Sequence, residues 1–289
     1  MINFLLLLLL VSLGSGGSIA IKVGLTSFSP ALFLFLRFAL AILTLLPFLK
    51  RNIFQVIRHT PLKVYLVSLL AVGNVVLFAF GIRLTSVIIS SILYTLIPIM
   101  IGIFSHIFLK HRFKQHEVVG AILGLVGALS IVLLPVLEGK LHGASSLIGN
   151  LLLLGAVTSF AIYTVLLSPL QKYRSKTELN FSFFFLTLVL LFFTLVMGWG
   201  THQKLILQGP SSASIYGLLF SGILSTSFFY LLYQRLIEKG GPMYASLSFY
   251  LNPIAASIFG TLILHERLTP LIVFAATLTF LGVWIYGRK

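Results

Sequence analysis

The chain has 289 residues, of which 58% are hydrophobic and 9% charged, with a mean hydropathy of +1.10. Soluble domains carry roughly 25% charged residues, so this much apolar surface calls for a lipid solvent and excludes a water-soluble fold. Lys and Arg number 20 against five acids, all Glu, and the absence of Cys excludes disulfides, thiol catalysis and thiolate metal sites.

In a bilayer only helices or closed barrels satisfy their backbone, and the apolar runs here are too long for barrel strands. A spanning helix needs about 20 residues at 1.5 Å rise each, which predicts an all-α integral membrane fold of ten transmembrane helices. The first run, 3–22, has no basic stretch ahead of its Leu-rich start and reads as a retained span rather than a signal peptide. It carries Gly14, Ser15, Gly16, Gly17 and Ser18 at mid-depth. The second, 30–49, holds Arg37, the one charge well inside a span. The third, 62–83, offers Asn74. The fourth, 86–109, offers Ser90, Ser91, Tyr94 and Thr95, then Pro98, with His106 near its end. The fifth, 116–136, carries a GxxxG pair, Gly120 and Gly124, suited to close packing within one protomer or to dimerisation. The sixth, 146–168, has Thr158, Ser159 and Tyr163. The seventh, 180–199, is plain. The eighth, 213–236, has Ser225, Thr226, Ser227 and Tyr230. The ninth, 241–264, has Ser246, Ser248, Tyr250, Asn252 and Pro253, and Glu266 follows it. The tenth, 268–287, is plain at mid-depth.

The loop charges sort by side. Placing the N-terminus in the cytoplasm puts fourteen bases inside, among them Lys50, Arg51, Lys110, Arg112, Lys172, Arg174, Arg288 and Lys289. Five then lie outside: Lys22, Arg83, Lys140, Lys204 and Arg267. This positive-inside asymmetry predicts both termini in the cytoplasm, and bases in short loops between apolar runs argue for a lipid bilayer and against a nucleic-acid partner.

Residues 83–131 slide onto 238–286 with identities at Ser91/Ser246, Pro98/Pro253, Arg112/Arg267 and Gly127/Gly282. Two five-span repeats follow, 1–137 and 145–289. Five is odd, so the second enters the membrane from the opposite side. Such inverted repeats place a substrate site near the midplane between the halves. The paired prolines lack an N–H and free the carbonyls of Tyr94 and Phe249, predicting matched kinks beside a cavity. Pro98, Pro253 and Arg37 are the gating or hinge candidates.

The expected substrate-binding set is Ser15, Asn74, Ser91, Tyr94, Thr95, Ser159, Tyr163, Ser225, Tyr230, Tyr250 and Asn252. Any one Ser or Thr can simply join two helices, for about 0.6 kcal/mol. As a set they fall on the first, third and fourth spans and on the sixth, eighth and ninth, which correspond under the repeat. Arg37 at mid-span costs at least about 2.5–3.5 kcal/mol and must face protein or water. Three readings suit it: a substrate-carboxylate contact, a gating contact, or a structural Arg on helix-end carbonyls. His106 and Glu266 are the candidates for proton coupling, since no carboxylate stands at depth.

HExxH, P-loop and GxSxG patterns are all absent, so an enzyme is not expected, nor a cofactor or metal. The expected partners are a small-molecule substrate and the bilayer, with a monomer or weak homodimer as the assembly. Hydroxyls, amides and phenols without an acid suit a neutral or zwitterionic amphipathic metabolite, such as an amino acid, and disfavour a bare cation. A membrane-embedded enzyme would need convergent acids or His at one interface. A non-transporting assembly or sensor subunit would not need the paired polar ring.

Several segments are familiar: Ser18–Lys22 (SIAIK), Ser29–Phe38 (SPALFLFLRF), Ala161–Leu166 (AIYTVL) and Tyr250–Leu268 (YLNPIAASIFGTLILHERL). Together they resemble EamA-type transporters of the drug/metabolite transporter superfamily. The resemblance implies ten spans in two inverted repeats, a cavity between them, and export of small metabolites or drugs across a bacterial inner membrane. Nucleotide-sugar carriers share that superfamily. Family members often carry Trp near position 14 and Glu after the fourth span, where this chain has Gly14 and His111; Glu266 keeps the acid in the second half.

Overall fold

The computed structural model describes residues 4–109, 114–133, 146–199, 205–207 and 209–286. Lys110, His111, Arg112, Lys140, Lys204, Arg288 and Lys289, and the repeat boundary expected between 137 and 145, lie outside the described residues. Within them the chain is helical, with one isolated β-bridge, Phe28 to Ile206.

The ten expected spans are all helical. The first four are α1 (Phe4–Gly24), α2 (Pro30–Leu45), then a short surface helix α3 (Ile53–His59), α4 (Leu62–Leu84), and the pair α5 (Val87–Tyr94) and α6 (Ile97–Leu109). Next come α7 (Gln115–Val132), α8 (Leu147–Leu167) and α9 (Lys176–Trp199). The eighth span begins as α10 (Ser212–Leu219), passes through a π-helical stretch, Phe220–Phe228, and continues into α11 (Phe229–Ser246). α11 is broken at Gly241, whose φ of 81° suits glycine. The last two are α12 (Asn252–Leu264) and α13 (Pro270–Tyr286). Seven helical stretches are long and apolar enough to cross a membrane, and three shorter apolar ones, Leu8–Gly24, Ser248–Leu264 and Pro270–Tyr286, complete the ten.

Local chemistry sets where the helices begin. Ser29, Ser86, Ser146 and Ser211 each stand just ahead of an apolar run. Each side chain accepts from the backbone N–H three residues on, at 3.4, 3.0, 2.9 and 3.1 Å, which satisfies a donor the first turn leaves orphaned. The helix α3 was not expected from the sequence. Asn52 caps it through Phe54 N, and it is too short to register as an apolar period.

The packing repeats across the halves. α7 lies on α13, α2 on α9, and α5 on α12. α4 against α8 matches α10 and the π stretch against α1. Exchanging each span of one half with its counterpart in the other maps these contacts onto one another. The α7–α13 contact is close: a Cβ on Gly282 would meet Gly124 N at 2.1 Å, and one on Gly120 would meet Tyr286 N at 2.4 Å. The GxxxG pair is therefore used inside the protomer.

Candidate functional site: a central cavity

The cavity sits where the two interrupted spans face each other. In the fourth span, Thr95 N and Leu96 N turn back to Ile92 O and Leu93 O at 3.1 Å, and the chain resumes as α6 with Pro98 in its first turn. In the ninth, a 3-10 turn, Leu247–Tyr250, precedes α12, again with Pro253 in the first turn. The paired kinks are thus clean restarts: each Pro occupies a first-turn position, where a missing N–H leaves little unsatisfied.

About 90 Å³ of the cavity is open to the centre of a water molecule, several times the roughly 10–15 Å³ that one water requires. Its polar lining includes Ser15, Asn74, Ser91, Tyr94, Ser225, Tyr230, Asn252 and Arg37, with Ser18 and Ser90 beside them. The lining draws on the first, third, fourth, sixth, eighth and ninth spans, and on the second through Arg37 alone. Ser15 Oγ donates toward Asn252 O at 3.3 Å and lies 3.4 Å from Asn252 Oδ1. Asn74 Nδ2 donates to the Tyr94 hydroxyl and to Ala156 O, both at 2.8 Å. These two amides bind α1 to the ninth span and α4 to the fourth and sixth. Ser225 enters because Gly17 opposite has no side chain; a Cβ there would stand 1.8 Å from Ser225 Oγ.

Arg37 is 5% exposed. Its Nε donates to Thr226 Oγ1 at 2.7 Å, and that hydroxyl donates in turn to Ser221 O at 2.7 Å, five residues back along the π-helical stretch. The guanidinium carbon lies 5.6 Å from the centroid of the Phe38 ring. Of the structural readings open to it, binding of helix-end carbonyls is not what it does; its hydrogen bond is to a hydroxyl.

The walls are aromatic. Phe78 meets Tyr94, Tyr94 meets Phe249, Phe249 meets Phe160 and Phe229, and Phe160 meets Tyr230, with ring centroids 5.4 to 6.4 Å apart. Such edge-to-face and tilted contacts are favourable in themselves and hold the rings in place.

Other expected site residues lie elsewhere. Thr95 is fully buried and donates to Ile92 O at 2.6 Å. Ser159 donates to Leu70 O at 2.7 Å and Tyr250 to Val283 O at 3.3 Å, so both join helices. Tyr163 is sealed among Phe160, Phe183 and Tyr233. Pro253 lines a second, apolar hollow between α12 and α13, with Ile272 and Trp284. His106 is exposed near the end of α6.

Glu266 sits at one end of the bundle. Its Oε1 accepts from Lys22 Nζ at 2.8 Å and Val87 N at 2.8 Å, and its Oε2 from Ile88 N at 3.0 Å. It thus caps α5, where orphan N–H groups and the helix dipole favour an anion. Lys22 Nζ also donates to Thr85 O at 2.7 Å, and Thr85 Oγ1 to Asn150 Oδ1 at 2.7 Å. The opposite end is laced by Glu178, 3.6 Å from Arg51 and 3.7 Å from Arg174, and by the pair Lys176–Glu238.

The EamA-like transporter family model matches residues 1–133 and 147–288, almost the whole chain and once in each half. The chain belongs to the EamA-like transporter family. Among its relatives, an "Uncharacterized transporter YoaV" of Bacillus subtilis is 26% identical over 92% of this chain and 90% of its own length. An "Uncharacterized transporter" of Archaeoglobus fulgidus is 25% identical over 99% and 97%. A solved crystal structure shares the fold with a TM-score of 0.69 at 16% identity, covering 98% of this chain and 95% of the other. The chain is a multi-pass membrane transporter of the EamA type.

The sequence missed the walls. Phe160 and Phe249 line the cavity, whereas the polar residues beside them, Ser159 and Tyr250, point into helix contacts. One residue is 100° of helix rotation, and among 26 Phe nothing in the sequence says which face the lumen. Thr226 was visible in the Ser/Thr run of the eighth span, but its reach to Arg37 depends on the π-helical turn.

Proposed function

We propose that this protein is a secondary transporter of small amphipathic metabolites, neutral or zwitterionic overall, that works by alternating access through the central cavity. The observation that carries this reading is a mid-bundle hollow lined by hydroxyls, amides and aromatic rings, reached by both halves through matched helix breaks. Hydroxyls and amides can hydrogen-bond a polar head while the rings take an apolar body. The restarts at Pro98 and Pro253 are the places where half-helices can swing without tearing a continuous ladder. The Lys22–Glu266 network at one end and the Glu178 and Lys176–Glu238 contacts at the other are bonds that opening to either side would part.

The two halves form an inverted repeat, 1–137 and 145–289, with both termini cytoplasmic in a bacterial inner membrane, and the physiological direction is export. Proton coupling falls to His106, Glu266 or the substrate itself; otherwise the protein is a facilitator. The test is a screen of labelled amino acids and related metabolites in proteoliposomes, with and without an imposed pH gradient. The reading expects saturable movement of at least one solute. If none moves, and aqueous thiol reagents label no single-Cys variant at Ser91, Ser225 or Asn252, the reading fails.

A further inference from the structure

Arg37 is the eighth of sixteen residues in α2, so its charge lies at mid-span, and it is the one base in the cavity lining. From its surroundings we infer that the cavity contains an anion subsite at Arg37, and that the solutes it accepts carry a carboxylate joined to an apolar body about the size of one ring. This rests on the transport reading of the same cavity and revises its charge class: the solute carries a carboxylate, alone or within a zwitterion, and a neutral solute without one is a poor ligand.

The first ground is the missing counter-charge. Of the five acids, four are described, and each is engaged elsewhere. Glu178 lies with Arg51 and Arg174, Glu238 with Lys176, Glu266 with Lys22, and Glu117 accepts from Lys114 N at 2.7 Å. Glu138 falls in the sequence between the fifth and sixth spans. The titratable side chains within electrostatic reach of the guanidinium are the phenols of Tyr230 and Tyr94. A phenol, with an ordinary pKa near 10, stays neutral at pH 7 and balances no charge. Among the described residues Arg37 makes no ion pair.

The second ground is geometry. Thr226 holds Nε, and among the described residues the guanidinium makes no further hydrogen bond. Its two terminal nitrogens thus hold no hydrogen bond among the described residues, and Arg37 lines the cavity, so their paired N–H groups are open to a ligand there. A carboxylate accepts from such a fork through both oxygens, and the match is stronger than that of a neutral pair. The Phe38 ring, 5.6 Å away, offers partial compensation from its face and no hydrogen-bond acceptor.

The third ground is what else lines the space. One base answers one negative charge. A phosphate dianion or a nucleotide would call for further bases, and the lining holds none. Phe160, Phe229 and Phe249 line the same space, with Tyr230 near the guanidinium, and these rings are fit for a ring or a branched aliphatic chain. The Asn252 side-chain carbonyl and Ser91 Oγ, in the same lining, are acceptors for an amino group on such a solute. An organic cation without a carboxylate meets only repulsion from Arg37.

The test uses the full chain in lipid nanodiscs and four probes of one shape: phenylacetate, L-phenylalanine, phenylacetamide and 2-phenylethylamine. Affinity is read from the ligand-dependent rise in melting midpoint. The subsite predicts that phenylacetate and phenylalanine bind at least tenfold more tightly than phenylacetamide, with phenylethylamine weakest. Arg37→Gln should bring acid and amide within about twofold of each other, while Arg37→Lys keeps part of the preference. Equal binding of phenylacetate and phenylacetamide by the native protein overturns the inference, and that comparison needs no variant. So does a folded Arg37→Gln that keeps the tenfold preference, or a native protein that binds none of the four. Uptake of labelled phenylalanine into proteoliposomes separates the two readings. Movement without a carboxylate preference removes the subsite and leaves transport standing; a carboxylate preference without movement keeps the subsite and removes transport.

Discussion

At one end of the bundle Lys22 meets a carboxylate, Glu266, that is also bonded to two backbone N–H groups of α5. At mid-depth Arg37 meets a hydroxyl and ring faces. Both are cations drawn into an apolar fold with few acids, yet one is neutralised in place and the other is left facing a cavity. The pair at the end ties three elements, α1, α5 and the exit of α12, into one network. The lone guanidinium ties α2 to the π-helical stretch by a single hydrogen bond. A charge that only holds the fold together needs its partner within the fold. A charge that lacks one is suited to a partner that comes and goes.

The comparison is most sharply broken at Glu266. Glu266→Ala strands the Lys22 ammonium and uncaps α5, and should cost about 3–5 kcal/mol, the range for removing one member of a buried pair. The Glu266 side chain is 8% exposed but that of Lys22 is 26% exposed and keeps its bond to Thr85 O, so solvent offsets part of this and the loss falls toward the lower end of that range. Glu266→Gln should recover part of the loss, because an amide oxygen still accepts from Val87 N or Ile88 N. Unfolding of the purified variants in one detergent measures both. A loss below about 1 kcal/mol would mean that the network is ornamental at the bundle end.

Arg37→Gln should behave in the opposite way. It forfeits one charged hydrogen bond, to Thr226, and at the same time removes a buried charge that has no acid beside it. The two effects oppose each other, so stability should change by no more than about 1 kcal/mol, while solute uptake falls severely. Measured side by side, Glu266→Ala should lose far more stability than Arg37→Gln, and Arg37→Gln far more transport for each folded molecule. If Arg37→Gln is destabilised as much as Glu266→Ala, then Arg37 is a structural cation like Lys22.

The contrast also marks what a sequence can carry. The ten spans were legible because lipid demands long apolar runs. The helix breaks were legible from Pro98 and Pro253 at one offset. Arg37 stood out because a charge in mid-span is rare. What could not be read was pairing. Lys22 and Glu266 are 244 residues apart, and nothing local shows that they meet or that the acid caps α5, so Glu266 looked like a free titratable group. Ser159 and Tyr250 were named for their chemistry, and one helical step decided that their neighbours Phe160 and Phe249 would line the cavity instead. The π-helical turn that carries Thr226 leaves no periodic signature, because nine residues of Gly, Ser, Thr and apolar side chains suit an α-helix as well.

The smallest effect should come from Thr226, which touches the proposed ligand only through Arg37. Thr226→Val keeps the shape and removes the acceptor of the 2.7 Å bond to Nε. The guanidinium keeps its charge and its place on α2, but its fork is no longer held at one angle. It can turn among rotamers, and a carboxylate must then order it on binding. The loss is one hydrogen bond's worth of positioning, about 1 kcal/mol, or roughly fivefold in the affinity for phenylacetate. The preference of acid over amide should survive, because the charge survives. The valine also leaves Ser221 O without its side-chain donor, so some loss of stability accompanies the change whatever the role of Thr226. Thr226→Ser separates the two contributions: it restores the hydroxyl, and with it both the bond to Nε and the affinity. A Thr226→Val protein that binds phenylacetate as tightly as the native one would show that the π-helical turn does not orient Arg37. One that loses the acid preference altogether would show that the hydroxyl, and not the guanidinium alone, reads the carboxylate.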